Sequence, residues 1–322
     1  MVKPTVVVTR AIPRAALELL SLHANVNANE ADVGYTPEVL RSHARSADGL
    51  VSLLTDRVDA ALLAACPRLK VVANVAVGFD NVDVGAAARA GIAVTNTPGV
   101  LTDATADFAW ALLLAAARNV LPADAYVRNG RFREWMMMEF HGAELAGRTL
   151  GIAGFGRIGQ AVARRGSGFG MHVIYTNPRR VAQTVEDELN ARYVDKQTLL
   201  VSSDVLSLHV PLDASTRHFL SDAEFALMKS SAYVINTARG PVIDEAALAR
   251  ALSNGSIRGA GIDVFEREPA VDPALLAAPH VVLAPHIGSA TTETRTKMAL
   301  MAAENVIAVL AGRPAVNPVT RN

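Results

Sequence analysis

The sequence predicts an α/β chain of two parallel-sheet domains, and three observations carry that prediction. Short apolar runs alternate with helical-looking segments twice along the 322 residues, the pattern of successive β-α-β units. A glycine-rich turn, Gly154-Phe-Gly-Arg-Ile-Gly159, follows one apolar run and precedes a helical segment from Gln160 to Arg165. Between the two series, Ala104 to Asn119 carries apolar residues on nearly every face, as a buried helix does.

In the first series, Thr5 to Thr9, Gly49 to Leu54, Leu69 to Val75 and Ile92 to Thr95 read as strands. The helix from Ala104 to Asn119, with Thr102 and Asp103 as N-caps, then crosses between domains. The second series places strands at 150–153, 171–176, 204–208, 232–236, 259–263 and 281–284, and six strands suit a doubly wound dinucleotide domain of Rossmann type. Past Ser289, an amphipathic run from Thr291 to Leu310 stops at Gly312 and Pro314 and is expected to pack back on the first domain. The expected domains are therefore 1–100 with 287–322, and 101–286. No internal repeat, low-complexity tract or long charge run interrupts them.

Composition narrows the class. Lys plus Arg equals Asp plus Glu at 31 each, so charge offers no reason to expect nucleic acid or an anionic membrane as partner. The chain is 51% apolar, yet no apolar run approaches the 18 or so residues needed to span a bilayer. The stretch Met1 to Thr9 has too short an apolar core for a secretory signal and reads as a first strand. Cys66 is the sole cysteine, in the apolar setting Leu62-Leu-Ala-Ala-Cys66, so it reads as an inert core thiol and the expected location is the cytoplasm.

The glycine turn has the spacing of a pyrophosphate cradle. Gly154 permits the tight turn, Gly156 lets backbone approach the phosphates, and Gly159 lets helix and strand pack closely, with Phe155, Arg157 and Ile158 contributing the rest of the contact. The next strand, Met171-His-Val-Ile-Tyr-Thr176, ends where the adenine ribose is expected. An Asp or Glu there would hold the 2′-hydroxyl of NAD. Here the residues are Asn177-Pro-Arg-Arg180. With no carboxylate to repel a 2′-phosphate and with Arg179 and Arg180 to bind it, NADP(H) is the expected cofactor. NAD(H) is the alternative if the arginines form only a solvated basic turn.

Three further segments each follow a predicted strand and bear an ionisable residue: Asn236-Thr-Ala-Arg239, Asp263-Val-Phe-Glu-Arg-Glu268 and Ala284-Pro-His286-Ile-Gly-Ser289. Strand C-termini line the ligand crevice of open α/β sheets. Reduction of a 2-oxo acid needs a cation for the carboxylate and carbonyl, and a proton donor for the developing alkoxide. Arg239 and His286 supply these, and Glu268 beside the imidazole would raise its pKa above the ordinary value of about 6.5. Singly, each has a plain alternative: a surface turn arginine, a solvated loop acid, a satisfied loop histidine. The other histidines, at 23, 43, 141, 172, 209, 218 and 280, show no metal-ligand spacing, and no metal is expected.

Seven segments together resemble the D-isomer specific 2-hydroxyacid dehydrogenases: VGFDNVDV at 77–84, LTDATADFAWALLL at 101–114, GFGRIG at 154–159, HVPL at 209–212, INTARGPVIDEAAL at 235–248, GIDVFEREP at 261–269 and APHIGSAT at 284–291. The resemblance covers nearly the whole chain. It implies a Rossmann-type coenzyme domain beside a smaller, flavodoxin-like substrate domain. It also implies that Arg239 binds the substrate, His286 donates the proton, Glu268 orients and charges His286, and the amides of Val77 and Gly78 hold the carboxylate. Ser289 joins the substrate contacts. Thr102, Val210, Pro211, Thr237, Ala238, Asp263 and Gly288 join the cofactor contacts, together with Asn177 at the ribose.

Within that family the chain is most similar to glyoxylate/hydroxypyruvate reductases, including a branch acting on 2-ketogluconate. Other 2-hydroxyacid dehydrogenases and phosphite dehydrogenases share the scaffold, and a cofactor-sensing, corepressor-like binding protein is the reading from a different class. Trp135, before Met136-Met-Met138, resembles a tryptophan that reaches into the partner subunit in such reductases, which implies a homodimer. The proline that often follows it is missing here, and a Met-rich apolar patch over a dimer contact is the alternative.

Overall fold

The computed structural model describes residues 3–319. The chain divides into two compact units, Met1–Leu101 with Ala290–Asn322, and Thr102–Ser289. Ile287 to Ser289, expected with the first domain, thus group with the second. Residues 1–2 and 320–322, the outermost part of the expected first domain, lie outside the described residues.

The first unit is built on β1 (Thr5–Val8), β2 (Asn25–Ala28), β3 (Gly49–Ser52), β4 (Val71–Asn74) and β5 (Ala93–Thr95), in the order β2-β1-β3-β4-β5. Every pairing is parallel. This is the 2-1-3-4-5 order of flavodoxin-like sheets. The central strands are buried on both faces, which is why they read as continuous apolar runs. The edge strand β2 was not expected, because Asn-Val-Asn-Ala has a single strongly apolar residue and one flank open to water. The helix Thr292–Leu310, capped by the Thr291 hydroxyl accepting from Thr294 N–H at 3.1 Å, buries Ala299, Ala302, Ala303 and Val306 against Val6, Val8, Val51 and Val71. The return of the chain to its first unit thus rests on a face of small residues that fits flush on the sheet.

The second unit contains β6 (Thr149–Ala153), β7 (His172–Thr176), β8 (Ala191–Tyr193), β9 (Val205–Leu208), β10 (Tyr233–Asn236), β11 (Gly259–Ile262) and β12 (Val281–Leu283). They pair in parallel in the order β12-β11-β10-β9-β6-β7-β8. The seventh strand is the short edge β8, whose Ala-Arg-Tyr is too polar and brief to announce itself. Chain direction across the sheet reverses between β6 and β9, the switch point where ligands bind in such sheets.

The helix Thr102–Ala117 covers β10 and β11 with Ala106, Ala109, Trp110, Leu112 and Leu113 buried. Thr102 and Asp103 lie inside its first turn rather than capping it. It ends before Asn119, whose backbone is left-handed at φ 54°, and a second helix, Val120–Arg128, follows. Among the described residues no single helix is long and apolar enough to cross a membrane.

Candidate active site

The glycine turn leaves β6 at the switch point. Gly154 has φ +89°, and a Cβ there would lie 2.6 Å from the His209 carbonyl carbon. A Cβ on Gly159 would lie 2.2 Å from Gly154 O. Both positions therefore require glycine for packing. Gly156 is different, since a Cβ there would meet no protein atom within 4 Å. It is also the N-cap of the helix Arg157–Gly168, and no side chain caps that helix, so its first amides and dipole face the same open space.

The turn is braced from outside. Phe155 N–H donates to Asn177 Oδ1 at 3.0 Å, and Gln160 Nε2 donates to Phe155 O at 3.0 Å. The Phe155 ring stacks on Tyr175 at 4.1 Å. His209 lies with its Nε2 2.8 Å from Ser207 Oγ, and burial pushes its pKa down to about 3. Val210 beside it is buried and Pro211 is exposed.

At the end of β7 the two arginines part company. Arg180 is held by Glu186, with Nε to Oε1 at 2.8 Å and Nη2 to Oε2 at 2.6 Å. The Tyr175 hydroxyl donates to the same buried carboxylate at 2.6 Å. The Arg180 and Tyr175 hydrogen bonds hold the Glu186 carboxyl down to about 2, while burial and that bond push Tyr175 up to about 12. The expectation of two available guanidiniums is therefore corrected, because Glu186, in the helix Gln183–Leu189 that follows, occupies Arg180. Arg179 is exposed and forms no ion pair or hydrogen bond within the described residues.

On the other side of the switch point, the ends of β10, β11 and β12 carry the ionisable groups. Asn236 shapes the turn after β10, accepting from Ala238 N–H at 3.0 Å and donating to Arg239 O at 3.0 Å. Arg239 Nη1 donates to Ala238 O at 2.8 Å. The Thr237 hydroxyl is buried with no protein partner among the described residues. Glu268 and His286 meet: Nδ1 lies 2.9 Å from Oε2, while Oε1 accepts from Phe265 N–H at 3.0 Å. Burial would push the Glu268 carboxyl up, but the His286 hydrogen bond and charge, the Phe265 amide and Arg239 outweigh it, so it lies below its ordinary value.

His286 is in the left-handed region at φ 56°, which costs a non-glycine residue about 1–2 kcal/mol. Backbone pairing holds it there, with His286 N–H donating to Asp263 O at 2.8 Å. Asp263 is buried, and its two oxygens accept from Ile287 N–H at 2.7 Å and Gly288 N–H at 2.8 Å. Burial raises its pKa to about 6. Asp263 therefore anchors the loop that bears His286, a role its expected place among the cofactor contacts did not disclose.

In the first unit, Val77 and Gly78 follow β4 in a half-buried loop. The Val77 carbonyl accepts from Asn96 Nδ2 at 2.7 Å and the Gly78 carbonyl from Asn74 Nδ2 at 3.0 Å.

Comparison with known proteins decides the family. Residues 110–288 match the model for the D-isomer specific 2-hydroxyacid dehydrogenase, NAD binding domain. The chain is 51% identical over 327 residues to a glyoxylate reductase of Aeropyrum pernix, covering 100% of this chain and 97% of that one. It is 48% identical over 324 residues to the Thermococcus litoralis glyoxylate reductase, covering 99% and 98%. The chain belongs to the D-isomer specific 2-hydroxyacid dehydrogenases. Among solved structures, the NADPH-dependent glyoxylate/hydroxypyruvate reductase of Sinorhizobium meliloti, in complex with NADP and malonate, superimposes with a TM-score of 0.87 at 36% identity, covering 98% of this chain and 97% of that one.

This dehydrogenase is thus an oxidoreductase with an NAD(P)-binding domain, and the turn fits a dinucleotide. The open space over Gly156, the uncapped helix and the unpartnered Thr237 hydroxyl supply backbone and side-chain donors on one sheet edge. Thr102, Gly288 and Ser289 lie in the same unit, with Gly288 buried. Trp135 stands 76% exposed beside exposed Met137 and Met138. Among the described residues no group of three or more His, Cys, Asp or Glu is placed to hold a metal. Residue-by-residue reading missed Glu186, Asn236, Asn74 and Asn96. Their only signal is polarity next to a strand end or a basic turn.

Proposed function

We propose that this dehydrogenase reduces small 2-keto acids, glyoxylate and hydroxypyruvate, to 2-hydroxy acids, with NADPH preferred over NADH. The observation that carries this reading is the Glu268 to His286 hydrogen bond at the sheet edge that also bears Arg239 and the glycine turn. A reduced nicotinamide dinucleotide, its phosphates held by that turn, would supply the hydride. His286 delivers the proton to the carbonyl oxygen, so the keto acid, one hydride from the cofactor and one proton from the enzyme together make the hydroxy acid. Glu268, charged above its lowered pKa, fixes Nδ1 and leaves Nε2 for the substrate. Arg239 polarises the carbonyl and holds the carboxylate. The amides of Val77 and Gly78 take the carboxylate, with Ser289 beside the substrate.

The preference for NADPH rests on Arg179, which keeps its guanidinium available, and on the absence of a carboxylate at the end of β7. Asn177 Nδ2, Val210, Pro211, Ala238 and Thr237 border the rest of the cofactor. The glyoxylate reductases of similar sequence support glyoxylate as substrate, and the related NADPH-dependent reductase whose structure holds NADP and malonate supports the cofactor reading. A second copy of this chain covers the exposed Phe132, Trp135, Met137 and Met138, making a homodimer. A cytoplasmic setting accords with the lone, buried Cys66, whose thiol burial pushes up.

Steady-state kinetics with glyoxylate, hydroxypyruvate, 2-ketogluconate, pyruvate and phosphite, each with both cofactors in the matching redox state, test this. Glyoxylate or hydroxypyruvate with NADPH should give the highest kcat/KM. Equal or better turnover with NADH would remove the cofactor preference. Cofactor binding without turnover of any substrate would favour a sensing role.

A further inference from the structure

The loop after β4 contains a brace that the reaction scheme does not use. Three successive carbonyls are bound from within the first unit. Ala76 O accepts from Thr97 N–H at 2.9 Å, Val77 O from Asn96 Nδ2 at 2.7 Å and Gly78 O from Asn74 Nδ2 at 3.0 Å. In a trans peptide the C=O and the following N–H point in opposite directions. The N–H groups of Val77, Gly78 and Phe79 therefore face away from Thr97 N–H, Asn96 and Asn74 in turn, and none donates to a protein acceptor among the described residues.

The brace is itself oriented. Asn74 is fully buried; its Oδ1 accepts from Ser52 Oγ at 3.1 Å, and its Nδ2 also donates to Asn81 Oδ1 at 3.0 Å. Asn81 Nδ2 in turn donates to Leu53 O and Asp56 O at 3.0 and 2.9 Å. Asn96 lies at the end of β5 and is half-buried. Without its Nδ2 the Val77 carbonyl loses its donor, and the peptide is free to rotate its oxygen toward an incoming anion.

We infer that Asn96 and Asn74 are positioning residues for substrate capture: by binding the Val77 and Gly78 carbonyls they aim the Gly78 and Phe79 amides, beside the Val77 amide set by Thr97 N–H, at the substrate carboxylate. This rests on the proposal that the Val77 and Gly78 amides hold that carboxylate, and adds the Phe79 amide to them. The two asparagines set KM, while the proton and hydride chemistry proceeds on other groups.

Asn96→Ala and the isosteric Asn96→Asp are compared with the wild-type enzyme for glyoxylate reduction, for competitive inhibition by oxamate, and for NADPH binding. In both variants KM for glyoxylate and Ki for oxamate should rise together by about 10- to 100-fold, with kcat within about threefold and the NADPH Kd unchanged. A folded variant with unchanged KM and Ki, or a fall confined to kcat, would overturn the inference alone. A wild-type enzyme that reduces no 2-keto acid would overturn the functional reading and this inference with it. Should the variants not fold, oxamate added to wild-type protein labelled at Val, Gly and Phe amides should shift the Val77, Gly78 and Phe79 signals. Unmoved signals would overturn the assignment.

Discussion

The C-terminal edge of the seven-stranded sheet carries two sites made in opposite ways. At the end of β6 the site is backbone: glycines with no side chains, an uncapped helix and open space over Gly156. At the ends of β10 to β12 it is side chain: Arg239, Glu268 and His286 on turns held by Asn236 and Asp263. The first holds nothing that titrates near neutrality and fails when atoms are added. The second fails when atoms are removed, and its carboxylates respond to pH in opposite directions.

Adding one methyl group in the glycine turn breaks the comparison most sharply. Gly154→Ala puts a Cβ at positive φ against the His209 carbonyl, and should cost about 3 kcal/mol and roughly 6–12 °C in Tm. Gly156→Ala meets no protein atom. Its Tm should stay within about 2 °C of wild type while the NADPH Kd, read by calorimetry, rises about 100-fold. A wild-type Kd would show that the space over Gly156 is not where the phosphates bind.

A smaller effect separates the two arginines. Arg179→Ala should lower kcat/KM with NADPH about tenfold and leave NADH unchanged. Arg180→Ala removes the partner of the buried Glu186, so it should act mainly on Tm. Equal losses with NADPH would contradict the assignment of Arg180 to Glu186.

The smallest effect is a slope. Burial raises the Asp263 pKa to about 6, against about 3.9 unfolded. Between these values the folded chain retains a proton that the unfolded chain has lost, so this contribution is full below about pH 4 and is lost as pH rises through 6. Glu268 acts with the opposite sign: its lowered pKa contributes stability above about pH 4 that is lost in more acid solution. Asp263→Asn should flatten denaturant-derived stability between about pH 4 and 6. An unchanged slope would assign it to other groups.

Much of this edge was legible in the sequence because it depends on local rules. The central strands are apolar runs buried on both faces, and Gly154 and Gly159 sit where packing tolerates nothing larger. The strands β2 and β8 were not legible, since an edge strand is held by backbone pairing on one side and needs little apolar sequence. Arg239, Glu268 and His286 were each visible as an ionisable residue after a strand. Their meeting was not, because Glu268 and His286 approach only when the loops after β11 and β12 fold side by side. Arg180 misled for the same reason, as its partner Glu186 lies on the next helix and is oriented by Tyr175. Asn74 and Asn96 act through carbonyls of a loop distant in sequence from at least one of them, which no local pattern records.

The proposed proton donor for keto-acid reduction is His286. That role is tested most directly by His286→Asn, because asparagine tolerates the left-handed backbone at φ 56° but cannot serve as the acid. With NADPH and saturating glyoxylate, kcat should fall about 10²- to 10⁴-fold while the NADPH Kd remains that of the wild type. A kcat within a few-fold of wild type, with the cofactor still bound, would contradict the mechanism.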